Sequence, residues 1–202
     1  MSASNGFANI DDSFVALWEP QYDDLEDDEE EYQNIVSRVA LEILRIGTIT
    51  ETTFLRVINW KSCRTKGKID WRNFHTYMDV IRQCLALPGE ERLHKIDELQ
   101  GIGPCVGSTF LHFIYPDTYP IYDIRTVEVL RHLGADIRKS RSVQNYDDFR
   151  VQIIYAQITL ERWTLRKLDR ALFAFHKLNP EIFGSTLSNG HRGHSCGDEA
   201  EV

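Results

Sequence analysis

Between residues 35 and 178 the apolar residues recur at spacings of three and four, and that period restricts this chain to helices almost throughout. Ile35, Val39, Ile43 and Ile46 form one stripe, with Val36, Ala40 and Leu44 beside it. A second, short helix opens near Thr50 or Glu51 and carries Phe54, Leu55, Ile58 and Trp60. Trp71, Phe74, Met78, Ile81 and Leu85 repeat behind Asp70, which the pattern predicts as a helix N-cap. Pro88-Gly89 then breaks the chain, and a short helix runs through Leu93 and Ile96. Pro104 stands where a first helical residue tolerates a missing N–H. Further helices are expected around Val127, Leu130 and Leu133, around Phe149, Ile153 and Ala156, and from Leu165 through Leu168, Leu172 and Phe175 to Leu178. No segment alternates as a pair of strands, so the predicted fold class is all-α.

The net charge of −8 argues against a nucleic-acid partner only until its distribution is read. Residues 1–34 hold eleven acids and no Lys or Arg, and the tail, 185–202, is acidic too. The body, residues 35–184, is left at +5 and suits an anionic partner. The arm, 1–34, is expected to be partly disordered, because the Asp23 to Glu31 block repels itself. On that reading its deletion should tighten DNA binding. The Gly- and Ser-rich tail is expected to be disordered as well, with His191, His194 and Cys196 forming no metal site. No apolar run approaches the ~20 residues that span a bilayer, so no membrane partner is expected. Cys63, Cys84, Cys105 and Cys196 stand far apart, as free thiols of a reducing compartment do. The expected location is cytoplasmic or nucleoid-associated, or nuclear in a eukaryote, and the expected state is a monomer.

The segment that carries chemistry is 90–133. A short helix leads into Leu99-Gln100-Gly101-Ile102-Gly103, and a second helix begins at Pro104. Two glycines around one apolar residue permit a tight hairpin with no Cβ facing a ligand, while Ile102 anchors it between the helices. The first turn of the second helix offers free N–H groups beside that hairpin, a natural seat for a phosphodiester.

The stretch LQGIGPCVGS resembles the hairpin of the helix-hairpin-helix (HhH-GPD) DNA glycosylases, and Tyr119-Pro120-Ile121-Tyr122-Asp123-Ile124-Arg125-Thr126-Val127 resembles the loop that delivers their aspartate. Asp123 lies 20 residues beyond Gly103, close to the family spacing. The resemblance implies a two-lobe, all-α fold and double-stranded DNA bearing a modified base as the partner. It implies DNA contacts from Gly101, Ile102, Gly103, Pro104, Cys105 and Val106. The basic run around Trp60, with Lys61 and Arg64, reads either as further phosphate contacts or as a helix end whose cations complement the dipole, and Arg125 is a candidate phosphate contact after Asp123. It also implies a monovalent cation on the backbone carbonyls of Asp97, Leu99 and Ile102, and no iron–sulfur cluster, since only Cys196 follows the last helix.

Asp123 has a physical role independent of the family. Breaking an N-glycosidic bond builds positive charge on the sugar, which a carboxylate stabilises while it orients or deprotonates water. The base must first be flipped out of the duplex. The same residue also reads as a plain N-cap. Where lyase members carry a lysine this chain has Cys105, whose thiol cannot form an imine. The expected activity is therefore that of a monofunctional glycosylase, in DNA repair or in defence against modified foreign DNA. Lys61 is an amine on another helix that could substitute, although the sequence does not say which way it faces. Trp60, Tyr122 and Trp163 are candidate base-pocket residues, with the core as the other reading. The rival function is a non-catalytic helix-hairpin-helix protein that binds DNA or recruits partners.

Overall fold

The computed structural model describes residues 6–26 and 28–184, and among these there is no β-strand. The helices are α1 (Asp12–Trp18), α2 (Glu29–Ile46), α3 (Glu51–Ser62), α4 (Phe74–Ala86), α5 (Arg92–Asp97), α6 (Pro104–Ile114), α7 (Ile124–His132), α8 (Val143–Leu160), α9 (Leu165–Leu178) and α10 (Pro180–Phe183). Short 3-10 turns occupy Pro20–Tyr22, Cys63–Lys68 and Trp71–Asn73. No helix among the described residues is long and apolar enough to cross a membrane. The His191, His194 and Cys196 group and the tail lie outside the described residues.

Local chemistry explains most of the boundaries. Gly47 ends α2 in the left-handed region, at φ 65°. Thr50, Ser142 and Thr164 cap α3, α8 and α9 by accepting an N–H three residues on. Asp70 is not the cap of α4: it precedes the 3-10 turn, and its carboxylate accepts from the Asn73 side-chain amide at 2.6 Å. The buried stripe of α2 is Tyr32, Ile35, Val39 and Glu42, while Leu44 and Ile46 face outward. Burial works to raise the Glu42 carboxyl. Hydrogen bonds from Thr50, Thr53 and Arg38 outweigh it and hold the group below the usual carboxylate range. This one side chain joins the end of α2 to the start of α3.

Buried apolar side chains from α1 through α9 form one continuous core, with a small satellite of Tyr22, Phe173 and Ala174. The core does not divide at a lobe boundary. Helices α5 and α6 pack closely because Gly107 has no side chain. A Cβ there would meet Ile96 Cγ2 at 2.8 Å and Leu93 Cδ1 at 3.0 Å.

The acidic arm corrects the sequence reading. Its described residues from 6 onward are built into the fold, and α1 and the Pro20–Tyr22 turn lie along α9. Arg166 reaches Asp28 at 3.0 Å, Glu29 at 3.2 Å and Asp169 at 3.2 Å, and Tyr22 donates to Asp28 at 2.9 Å. Arg170 reaches Glu19 at 3.1 Å, Asp23 at 2.7 Å and Glu29 at 3.1 Å. Asp12 accepts from Arg162 and from the Trp163 indole. Like charges pack here because opposite charges on α9 are buried among them.

Removing these carboxylates strands buried guanidinium groups. Asp28→Ala is expected to destabilise the fold by about 3 kcal/mol, the cost of breaking a buried pair from one side. Deleting residues 1–34 should cost more and should not improve DNA binding. Urea unfolding followed by circular dichroism reads the change. An unaltered midpoint in Asp28→Ala would show that the arm is not part of the fold.

Candidate active site at the hairpin

The helix-turn-helix unit forms where the glycines predict it, but the two glycines have different work. Gly101 takes φ 81°, and a Cβ there would sit 2.7 Å from the Lys68 backbone carbonyl. Gly103 has φ −96° and open space at the Cβ position. Of these two, Gly101 alone needs to be glycine for the fold. The Ile102 N–H donates to the Leu99 carbonyl at 3.0 Å, which closes the turn. Ile102 and Val106 point into the core, whereas Gly103 is exposed and Pro104 and Cys105 are half-buried. Any ligand of this turn therefore meets backbone rather than the Ile102 or Val106 side chains.

The loop after α6 is held from below. The Tyr122 N–H donates to Ser108 Oγ at 3.0 Å, and Ser108 itself donates to the Cys105 carbonyl at 3.1 Å. His112, fully buried on α6, lies 2.7 Å from the Tyr119 carbonyl and 2.8 Å from the Tyr32 hydroxyl. A carbonyl only accepts, so Nδ1 carries the proton and Nε2 accepts from Tyr32. Burial raises the Tyr32 hydroxyl and keeps it a donor. The Tyr122 hydroxyl bonds to the Ser140 carbonyl and the Asn145 amide. The loop thus reaches Asp123 in a fixed path.

Asp123 caps α7, and its Oδ1 accepts the Arg125 N–H at 2.9 Å. Its other oxygen, Oδ2, lies 3.2 Å from Lys61 Nζ, which also donates to the Tyr122 carbonyl at 3.1 Å. The two side chains are only 6% and 12% exposed, so this is a buried amine against a buried carboxylate. The Arg125 guanidinium stands 3.8 Å from Oδ1 and over the Phe173 ring. Cys105 belongs to the same neighbourhood. Burial pushes its thiol up, Lys61 and Arg141 pull it down, and Asp123 pushes it up again, with a raised value as the result. A thiol held protonated is a poor nucleophile.

Lys61 reaches this place because α3 presents Phe54, Val57 and Ile58 to the core, and Lys61 follows on the same face at i+3 from Ile58. A lysine on a buried stripe was the signal available in the sequence. The structure turns Lys61 inward, away from a phosphate role, and leaves Arg64 exposed.

The candidate pocket residues do not converge. Trp60 is buried edge-on to Phe113, with Arg166 over its ring. Tyr122 is core. Trp163 bonds to Asp12 and lies against Arg162 and Lys167. None of the three lines either of two cavities in the surface. One, of about 480 Å³, lies beside Glu128, Arg131, His132 and Phe183. The other, of about 350 Å³, lies between Tyr32, Gln33, Asp117, Thr164 and Arg166. Sequence reasoning missed Tyr32, His112 and the central place of Arg166. Among the described residues no group of three or more His, Cys, Asp or Glu side chains is arranged to hold a metal ion.

No family model, curated protein or solved structure matches this chain.

The two glycines give a paired prediction. Gly101→Ala should lower stability by about 1–2 kcal/mol or more, from the left-handed backbone and the Lys68 carbonyl contact. Gly103→Ala should leave the urea midpoint within roughly 0.5 kcal/mol of wild type, because nothing opposes its Cβ. Equal losses would mean that the turn geometry is different.

Proposed function

We propose that this chain is a DNA N-glycosylase of the helix-hairpin-helix type, acting on double-stranded DNA with a damaged or modified base. The observation that carries the reading is the buried contact between Lys61 and Asp123 beside the first turn of α6. A buried ion pair adds little net stability compared with apolar packing, so it is a poor reason to place a lysine on the core face of α3. Desolvated pairs of an amine and a carboxylate concentrate at reactive sites. A helix cap needs the Arg125 N–H contact alone and does not require the amine.

The chemistry follows from the two groups. The negative charge of the Asp123 carboxylate would stabilise positive charge developing on a deoxyribose brought against it. Both of its oxygens already accept hydrogen bonds, one from backbone and one from the ammonium. That arrangement suits taking a proton from Lys61 better than activating a free water. The neutral amine then attacks C1′ as the bond to the base breaks. The base leaves with that electron pair and takes the proton held by Asp123, and one amine proton passes to O4′ as the C1′–O4′ bond opens, which leaves a protonated imine between Lys61 and C1′. Lys61 replaces the lysine that the hairpin lacks, so the water-only mechanism inferred from Cys105 gives way to one with an amine nucleophile. A monovalent cation on the carbonyls of Asp97, Leu99 and Ile102 belongs to the same proposal, and the Leu99 carbonyl has a second lone pair for it beside the Ile102 N–H.

The test is incubation with a panel of modified duplexes, with and without borohydride. Wild type should release a base and give a covalent adduct on reduction, and Lys61→Gln should give none. Asp123→Asn keeps the cap but loses the charge, and excision should fall roughly 10²–10³-fold with DNA binding retained. Binding without release from any duplex would leave a recruitment or DNA-binding protein instead.

A further inference from the structure

The hairpin turn is one half of a larger structure. The 63–72 segment packs directly on it, with the Lys68 carbonyl in the space that a side chain at Gly101 would need. Below the two loops lies Tyr77, buried on α4. Its hydroxyl accepts the Asp70 N–H at 3.1 Å and donates to the Gln100 carbonyl at 2.8 Å. A single oxygen therefore ties both backbones together. Trp71 braces the first loop by donating from its indole to the Lys66 carbonyl at 3.0 Å.

The two loops differ in chemistry. The turn from Gln100 to Gly103 is uncharged and can offer an anion only backbone N–H groups. The adjoining segment displays Arg64, Lys66, Lys68 and Arg72, all exposed. None of these four forms an ion pair among the described residues, whereas Arg56, Arg166 and Arg170 are neutralised by carboxylates of the N-terminal segment. The one acid in the loop, Asp70, is engaged with Asn73. Four unpaired cations on a loop locked to a neutral, glycine-bearing turn form a charge pattern made for a polyanion rather than for a protein partner.

We propose that the 63–72 segment and the hairpin turn are one composite site for successive phosphodiesters of duplex DNA. The turn seats one phosphate on backbone N–H groups, and Arg64, Lys66, Lys68 and Arg72 neutralise its neighbours along the backbone. Tyr77 is the positioning residue that sets the distance between the two halves. This inference rests on the DNA reading above and adds where the backbone runs.

The experiment uses the full chain and a fluorescein-labelled, unmodified duplex of about 24 base pairs, with anisotropy measured across a NaCl series. Replacing Arg64, Lys66, Lys68 and Arg72 together by Ser should weaken binding tens-fold at about 100 mM salt and reduce the log–log salt slope by about 2–3, for the loss of that many phosphate contacts. Arg45→Ser, an exposed cation at the end of α2, should leave the slope unchanged. Tyr77→Phe retains every charge and the ring packing, and it should still weaken binding several-fold. A quadruple variant with wild-type affinity and slope would overturn the composite site while leaving the DNA reading intact. Stronger wild-type binding to single strands or RNA, lost in the same variant, would overturn the commitment to duplex DNA. Failure of wild type to bind the duplex at any salt would overturn the DNA reading itself. If Tyr77→Phe does not fold, the quadruple variant alone decides.

Discussion

The contact between Lys61 and Asp123 sets the terms for everything around it. An ammonium cannot leave water without a partner, so the end of α3 has to meet the start of α7. That meeting requires the loop before α7 to arrive at one height, which Ser108 and His112 on α6 provide through the backbone of Tyr122 and Tyr119. Helix α6 in turn sits where it does because Gly107 lets α5 approach and Gly101 turns the chain. The hairpin, the aspartate and the amine are one construction in which each part fixes the next. The proposed chemistry uses the two groups that this construction buries.

The charge of the molecule has a similar logic. A net −8 looks unsuited to DNA, yet much of the acidic excess is spent inside the protein on α9. Arg166 lies among three aromatic rings and three carboxylates, and Arg170 draws in Glu19, Asp23 and Glu29. These arginines are paired with acids of the N-terminal segment, and that pairing offsets part of the segment's negative charge. The cations left unpaired include the four on the loop that Tyr77 holds against the hairpin. Internal neutralisation sharpens the basic surface without changing the net charge.

The sequence was legible where local rules act alone. Helix periodicity, the Pro104 start and the hairpin at Gly101 are properties of short segments, and they stand as expected. The roles of Gly101 and Gly103 could not be separated, because which glycine takes a positive φ depends on how the Lys68 carbonyl packs against the turn. The acidic arm was misread because self-repulsion is visible along the chain, while the arginines that reverse it lie some 140 positions away. Lys61 was half legible. Its place on the buried face after Phe54, Val57 and Ile58 is a sequence fact, but the carboxylate that justifies it is known only once α3 and α7 are brought together. Trp60 and Tyr122 were ambiguous for the same reason, since an aromatic residue on an apolar face is core unless the fold opens a cavity beside it, and Trp163 is taken up by Asp12, Arg162 and Lys167.

The most direct test of the amine and carboxylate pair is to find where a sugar becomes attached. A duplex with a preformed abasic site, reduced with borohydride in the presence of the protein and digested to peptides, allows the modified residue to be located by mass spectrometry. The reduced deoxyribose remnant is expected on Lys61. A remnant on any other amine, or protein that binds the abasic duplex and remains unmodified, would contradict it.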